Sequence, residues 1–213
     1  MPKTNGDYRL YAAPGCGSAI IEALLTLADA PFSIIELSHT ELGLRPGKLQ
    51  ELNPLGQVPT LLLPDGAVMT ESAAITLHIA EQFPGAGLAP PTDNPARSQF
   101  LRWLVFFGSP IYATFTYGDE PDRWVPAGEA ARALREMTDE HRQSLWRYLE
   151  GQVNPSPWLL GKKFSALDIF ISVMSRWRPG RDWFAENCPK LLPVARAVDG
   201  DERLKPVWER NFP

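Results

Sequence analysis

Residues 53–72 read NPLGQVPTLLLPDGAVMTES, and this stretch decides the fold. Two apolar runs, 58–63 and 67–69, flank the tripeptide Pro-Asp-Gly at 64–66, whose residue types favour a tight turn. Apolar runs on either side of such a turn are typical of a β-hairpin. The stretch therefore predicts two adjacent antiparallel strands followed by the helix that Glu71-Ser72 opens.

The sequence on either side of this hairpin alternates between strand and helix patterns. Residues 8–12 form a short β-prone run that stops at Pro-Gly, and apolar residues at helical spacing follow from Ser18. A second β-prone run covers 32–37, so the helix between the two runs makes their strands parallel. The order βαβ followed by ββα predicts one small mixed sheet with helices.

A proline-rich segment separates this half from the rest of the chain. Residues 85–95 are too rich in proline and glycine to continue a helix, so we expect a linker there, between domains 1–84 and 96–213. The second half predicts an all-helical domain, with a long helix over 127–150 and a Ser-x-x-Asp capping box at 165–168.

Composition narrows the classes of function. The formal net charge of −4 argues against nucleic acid as a partner. Two cysteines, Cys16 and Cys188, form neither a disulfide framework nor a zinc motif, so we expect no metal. No apolar run reaches the roughly 18 residues of a membrane span. We therefore expect a cytoplasmic protein without membrane segments.

The combined pattern resembles the cytosolic glutathione S-transferase family, of the bacterial beta-like type. The motifs that carry the resemblance are residues 53–60, Glu71-Ser72 and 164–168 (Phe-Ser-Ala-Leu-Asp). The resemblance implies a thioredoxin-like α/β N-terminal domain that binds glutathione and an all-α C-terminal domain. It also implies a detoxifying homodimer that uses glutathione as co-substrate with a small apolar electrophile.

The same resemblance implies which residues hold glutathione. A cis bond between Val58 and Pro59 exposes the backbone of Val58 for antiparallel pairing with the cysteine of the ligand. Gln57 is expected beside that backbone. Glu71 is expected to bind the ligand's ammonium group, and Ser72 its carboxylate, at a helix N-terminus.

Three basic residues follow the second predicted strand and are candidates for the other carboxylate of glutathione. They are His39, Arg45 and Lys48, and at least two of them are expected to be solvated surface.

The group that activates the glutathione thiol lies in the loop 14–18, whose pattern is shifted from that of the beta-like class. In an alignment without gaps, Gly17 falls on the cysteine of that class and Ser18 on the serine that follows it, while Cys16 lies one position early. Ser18 is therefore the first candidate thiolate donor and Cys16 the second. Tyr11 is not excluded, and Tyr112 is expected to donate a hydrogen bond near the thiol.

Two other functions remain open from the sequence. The protein can be a glutathione-linked thiol–disulfide reductase or peroxidase that uses Cys16. It can also be a binding protein that keeps the fold without catalysis.

Overall fold

A four-stranded mixed sheet forms the N-terminal part of the computed structural model, which describes residues 6–43 and 47–213. The strands are β1 Tyr8–Ala12, β2 Phe32–Glu36, β3 Thr60–Leu62 and β4 Val68–Met69. Their order across the sheet is β2-β1-β3-β4. β1 and β2 are parallel, and β3 is antiparallel to β1 and to β4. The predicted βαβ unit and hairpin are confirmed.

Three helices accompany the sheet: α1 Ser18–Leu27, α2 Lys48–Leu52 and α3 Ser72–Gln82. α1 and α3 pack against each other. Both helices bury apolar side chains: Ile20 and Leu24 of α1 and Ile75 and Ile79 of α3 are completely buried. Burial of apolar surface stabilises a fold by about 25 cal/mol per Å², so these side chains favour the packed position of both helices.

The chain divides into two units of contact, and the division differs from the one expected from the sequence. One unit combines the residues up to Ala89 with Ala197–Pro213, and the other is Pro90–Arg196. The last residues of the predicted domain 96–213 therefore group with the sheet. The segment 85–95 stays our proposed linker.

One contact that supports this grouping is an ion pair between α1 and the last helix, α10 Lys205–Asn211. Glu22 of α1 is only 5 % exposed, and its carboxylate accepts hydrogen bonds from the guanidinium of Arg210. Arg210 also donates to Glu36 Oε2 over 3.0 Å. A buried carboxylate is costly without a partner, so the end of the chain is fixed to the first unit. Apolar periodicity does not predict such a contact.

The second unit is helical. Its helices are α4 Arg97–Phe106, α5 Tyr112–Gly118, α6 Glu129–Gln152, α7 Ala166–Met174, α8 Arg181–Asn187 and the start of α9 Leu191–Asp199. A π-helical turn, Phe107–Ile111, joins α4 to α5. Pro110 lies inside this turn, and its missing N–H removes one bond from the α-helical ladder there. Within the described part of the chain, no helix is long and apolar enough to cross a membrane.

The predicted capping box is confirmed at the start of α7. The carboxylate of Asp168 accepts N–H bonds from Ser165 and Leu159, each over 2.8 Å. Asp168 is completely buried, and α7 is buried along its whole length. The carboxylate therefore fixes both the helix start and the preceding loop.

Candidate active site

The register of the sheet gathers the predicted site residues at one end of it. Tyr11 near the end of β1 pairs with Thr60 at the start of β3, and Leu61 pairs with Met69 at the end of β4. The loop after β1, the residues before β3 and those after β4 therefore meet at the same end. β2 is parallel to β1 and ends there too. The predicted residues that follow or precede these strand ends are Cys16, Ser18, His39, Gln57, Val58, Pro59, Glu71 and Ser72.

The loop after β1 is a β-turn that carries Cys16. The Cys16 N–H donates to the Ala13 carbonyl over 3.2 Å. Pro14 occupies the second position of the turn, and Gly15 the third with φ of 73°. This arrangement is a type II turn, whose third position requires the positive φ that glycine adopts freely. Cys16 is half-buried and begins the approach to α1.

The hydroxyl of Ser18 forms its hydrogen bonds within this loop. Ser18 is completely buried; its Oγ donates to the Ala13 carbonyl and accepts the Ala13 N–H, both over 3.1 Å. A hydroxyl has only one proton to donate. The bonding of Ser18 therefore argues against its expected role as thiolate donor and favours a role in shaping the turn.

The segment before β3 leaves one backbone residue unpaired. Asn53 is buried, and its Nδ2 donates to the Gln57 carbonyl over 3.1 Å and to Thr60 Oγ1 over 3.0 Å. The Val58–Pro59 bond is cis. Neither the N–H nor the C=O of Val58 has a hydrogen-bond partner among the residues that the structure describes. The role of Asn53 in holding this segment was not predicted from the sequence.

α3 begins at the same end of the sheet without a capping side chain. Its first backbone bond runs from the Ile75 N–H to the Glu71 carbonyl over 2.9 Å. Within residues 6–43 and 47–213, no atom accepts a hydrogen bond from the N–H groups of Ser72, Ala73 and Ala74. Three unsatisfied donors at the positive end of a helix favour an anion.

Glu71 has a strained backbone that sequence reasoning missed. Its φ is 66°, in a region that residues with a side chain rarely adopt, and its carboxylate is exposed. Such a conformation costs about 1–3 kcal/mol and is concentrated at functional sites. The strain turns the chain from β4 into α3.

Known proteins are similar to this chain in sequence and in fold. Residues 18–82 match the family described as "Glutathione S-transferase, N-terminal domain". The uncharacterized GST-like protein YncG of Escherichia coli strain K12 is 38 % identical over 204 residues, which cover 95 % of this chain and 98 % of YncG. This chain belongs to the glutathione S-transferase family. The resemblance inferred from the sequence is confirmed.

Solved structures of glutathione transferases match the fold over nearly the whole chain. A glutathione transferase homologue from Sulfitobacter, with bound glutathione, has a TM-score of 0.87 at 22 % identity and covers 97 % of this chain and 99 % of its own. A sphingomonad glutathione S-transferase complexed with glutathione has a TM-score of 0.76 at 26 % identity and covers 94 % and 97 %.

Four of the predicted binding residues of this glutathione S-transferase are exposed: Glu71, described above, with His39, Gln57 and Lys48. His39 directs its Nε2 at the Pro14 carbonyl over 3.1 Å, which takes this nitrogen toward the loop. Gln57 is exposed beside Val58. Lys48 opens α2 at the surface, and Arg45 lies outside the described residues.

Tyr112 belongs to the second unit of the transferase. It opens α5 directly after the π-helical turn. Its ring packs edge-on against Trp177, with the ring centroids 5.8 Å apart.

The two cysteines of the transferase have different surroundings. Cys188 is completely buried, and burial, with the nearby charge of Glu150, raises the pKa of its thiol to about 12. Cys16 is half-buried at the start of α1. In the described part of the chain, no three His, Cys, Asp or Glu side chains are grouped so that they can hold a metal ion.

Proposed function

We propose that this protein is a glutathione-dependent transferase that activates the glutathione thiol for attack on a small apolar electrophile. The thiol proton leaves to solvent, the sulfur forms a bond to carbon, and the leaving group departs with its electron pair. Membership of the family supports this reaction, as does the complex of the sphingomonad relative with glutathione.

The observation that carries the proposal is a set of unpaired backbone groups at one end of the sheet. Glutathione is a peptide with one ammonium group and two carboxylates. The N–H groups at the start of α3, with Ser72 Oγ, match a carboxylate, and the exposed Glu71 matches the neighbouring ammonium group. Val58 offers an N–H and a C=O to the backbone of the peptide's cysteine, next to buried Pro59.

We assign the activation of the thiol to Cys16 and the start of α1. Lowering a thiol pKa from about 8.5 to about 6.5 takes about 2.7 kcal/mol of thiolate stabilisation. One charge-assisted hydrogen bond and a helix N-terminus supply energy of this order. α1 begins without a capping side chain, and Cys16 directly precedes Gly17, its N-cap residue. Ser18 acts indirectly, because its hydroxyl holds Ala13.

The remaining predicted residues are assigned to the edges of the site. Gln57 contacts the glutathione backbone beside Val58. For Tyr112, a residue of the second unit, the proposed role stays a hydrogen bond near the thiol. His39 has two candidate roles: it binds a glutathione carboxylate, or it holds the loop 14–18 through the Pro14 carbonyl.

Calorimetric titration with glutathione tests the binding site. We expect Ser72→Ala and Glu71→Gln each to weaken binding roughly tenfold, which corresponds to about 1.4 kcal/mol for one charge-assisted contact. Ser33→Ala is the matched control, because Ser33 is exposed on β2, and it leaves the affinity unchanged. Unchanged affinity in both site variants contradicts the proposed binding mode.

A thiol–disulfide reductase is the second candidate, favoured by the half-buried Cys16 thiol at a helix start. In that reaction the Cys16 thiolate attacks the glutathione sulfur of a substrate–glutathione mixed disulfide, which forms a disulfide between Cys16 and glutathione and releases the substrate thiolate. A free glutathione thiolate then attacks the disulfide at Cys16, which regenerates the Cys16 thiolate and releases oxidised glutathione. Intact mass after exposure to oxidised glutathione separates the two candidates, because only the reductase accumulates one glutathione at Cys16.

Glutathione binding with an unshifted thiol pKa identifies a binding protein without transferase activity.

We also propose that the transferase works as a cytoplasmic homodimer in detoxification, as its family implies. Light scattering on the purified protein measures the mass of the particle, and the mass of a single chain contradicts the dimer.

A further inference from the structure

Both polar atoms of the peptide group between Pro14 and Gly15 are held by side chains from elsewhere in the first unit. His39 Nε2 lies 3.1 Å from the Pro14 carbonyl oxygen. The Gly15 N–H donates to Asn211 Oδ1 over 3.4 Å. The carbonyl oxygen and the N–H of one trans peptide lie in the peptide plane and point in opposite directions, so the two contacts hold opposite edges of that plane.

The orientation of the Asn211 amide is fixed by its other partners. Asn211 is 4 % exposed, and its Nδ2 donates to Glu22 Oε2 over 2.8 Å and to the Val207 carbonyl over 2.9 Å. Both acceptors require the nitrogen on their side. The amide oxygen therefore faces Gly15, although that contact is long for a hydrogen bond.

This peptide group is the one that can flip in the turn. Types I and II differ mainly in the orientation of the middle peptide, and glycine at the third position accepts either sign of φ. Gly15 has φ of 73°, so the turn is held in the type II form. A flip reverses the Pro14 carbonyl and the Gly15 N–H, and it breaks both contacts at once.

We propose that His39 and Asn211 are positioning residues that lock the middle peptide of this turn and thereby set the place of Cys16. The inference rests on the proposed function only in taking Cys16 as the residue that meets the glutathione thiol. The proposal gives the last helix, α10, a role in the active site through Asn211, although α10 is far from the loop 14–18 in the sequence. It also gives His39 a different role from binding a glutathione carboxylate.

Steady-state kinetics with glutathione and 1-chloro-2,4-dinitrobenzene test the Asn211 contact. We expect Asn211→Ala to lower kcat roughly tenfold, less than the roughly hundredfold that a displacement of about 1 Å can cost. The KM for glutathione changes less than about threefold, since the binding groups at Val58 and Ser72 are untouched. Val207→Ala is the control: it loosens the same helix at a buried apolar residue and keeps the Asn211 bonds, so kcat is retained.

His39 variants separate its two candidate roles. His39→Leu lowers kcat at nearly constant KM if the side chain holds the loop, and it raises KM if the side chain binds the ligand. His39→Gln keeps an N–H donor for the Pro14 carbonyl, and we expect it to recover part of kcat. A raised KM with unchanged kcat in His39→Leu overturns the His39 part of the proposal.

A second readout does not need transferase activity. The rate at which iodoacetamide alkylates Cys16, followed by mass mapping over a range of pH, reports the thiol directly. We expect the midpoint of this profile to shift in Asn211→Ala and to stay in Val207→Ala. An unshifted profile, or an equal shift in both variants, overturns the proposed lock. A wild type that fails to bind glutathione while the shift is present overturns only the proposed function.

Discussion

Replacing Ser18 by alanine is expected to destabilise the protein, because the hydroxyl is structural. Ser18 Oγ accepts the only hydrogen bond from the Ala13 N–H within the described ranges. Ala13 is completely buried, so no water replaces this partner in the folded state. Its carbonyl keeps one bond, from the Cys16 N–H over 3.2 Å. The variant therefore leaves one buried donor unsatisfied.

The expected loss follows from that one donor. A buried polar group without a partner costs about 1–3 kcal/mol, so we expect the free energy of unfolding to fall by about 2 kcal/mol. For a chain of this length, such a loss lowers Tm by about 4–8 °C. Urea unfolding followed by circular dichroism measures the free energy, and a thermal scan measures Tm.

The matched control is Ser33→Ala on the exposed side of β2, which is expected to change the free energy of unfolding by less than about 0.5 kcal/mol. The reasoning is refuted if Ser18→Ala is as stable as Ser33→Ala. If, in addition, the pKa of bound glutathione returns to its ordinary value in Ser18→Ala, the hydroxyl serves the ligand rather than the loop.

Three further predictions concern single side chains. Iodoacetamide is expected to modify Cys16 and not Cys188 in the folded protein, because burial raises the pKa of Cys188 to about 12; two modified thiols without denaturant contradict this. Glu71→Gly is expected to weaken glutathione binding, while the free energy of unfolding is retained or rises by up to about 2 kcal/mol. The reason is that glycine relieves about 1–3 kcal/mol of backbone strain at this positive φ and costs roughly 0.5–1 kcal/mol of entropy. Burial raises the pKa of Asp168 from 3.8 to about 6, so the folded state holds this proton more tightly than the unfolded state. The stabilisation that this bound proton contributes is complete below pH 3.8 and is lost as the pH rises through about 6. In urea unfolding, the stability of wild type relative to Asp168→Asn is therefore expected to fall by up to about 3 kcal/mol between pH 4 and 7. A difference that stays constant with pH contradicts the raised pKa.

The sequence predicts the sheet well because its information there is local. Residues 58–69 contain both apolar runs and the turn that joins them, so pairing follows from neighbours in the chain. The capping box of Asp168 is equally local, since Ser165 lies three residues before it. The π-helical turn around Pro110 is also local, because proline lacks the N–H that an α-helical bond needs. Each of these features is decided within a few residues of sequence.

The contacts that the sequence could not predict join distant residues. Arg210 and Asn211 follow Glu22 by 188 and 189 residues, and no pattern in either segment identifies the other. For this reason the last helix was expected with the second domain, although it groups with the first unit.

Ser18 shows the same limit at the site. A serine at a helix start is compatible with a catalytic hydroxyl and with a structural one, and only its bonds to Ala13 distinguish them.

The central claim is that Cys16, at the start of α1, stabilises the thiolate of bound glutathione. The most direct measurement is the thiolate absorbance of bound glutathione against pH in wild type, Cys16→Ala and Ser18→Ala. We expect a pKa well below the ordinary value of about 8.5 in wild type, a return toward that value in Cys16→Ala, and a smaller change in Ser18→Ala. An unshifted pKa in wild type, or a lowered pKa that survives in Cys16→Ala and is lost in Ser18→Ala, contradicts the claim.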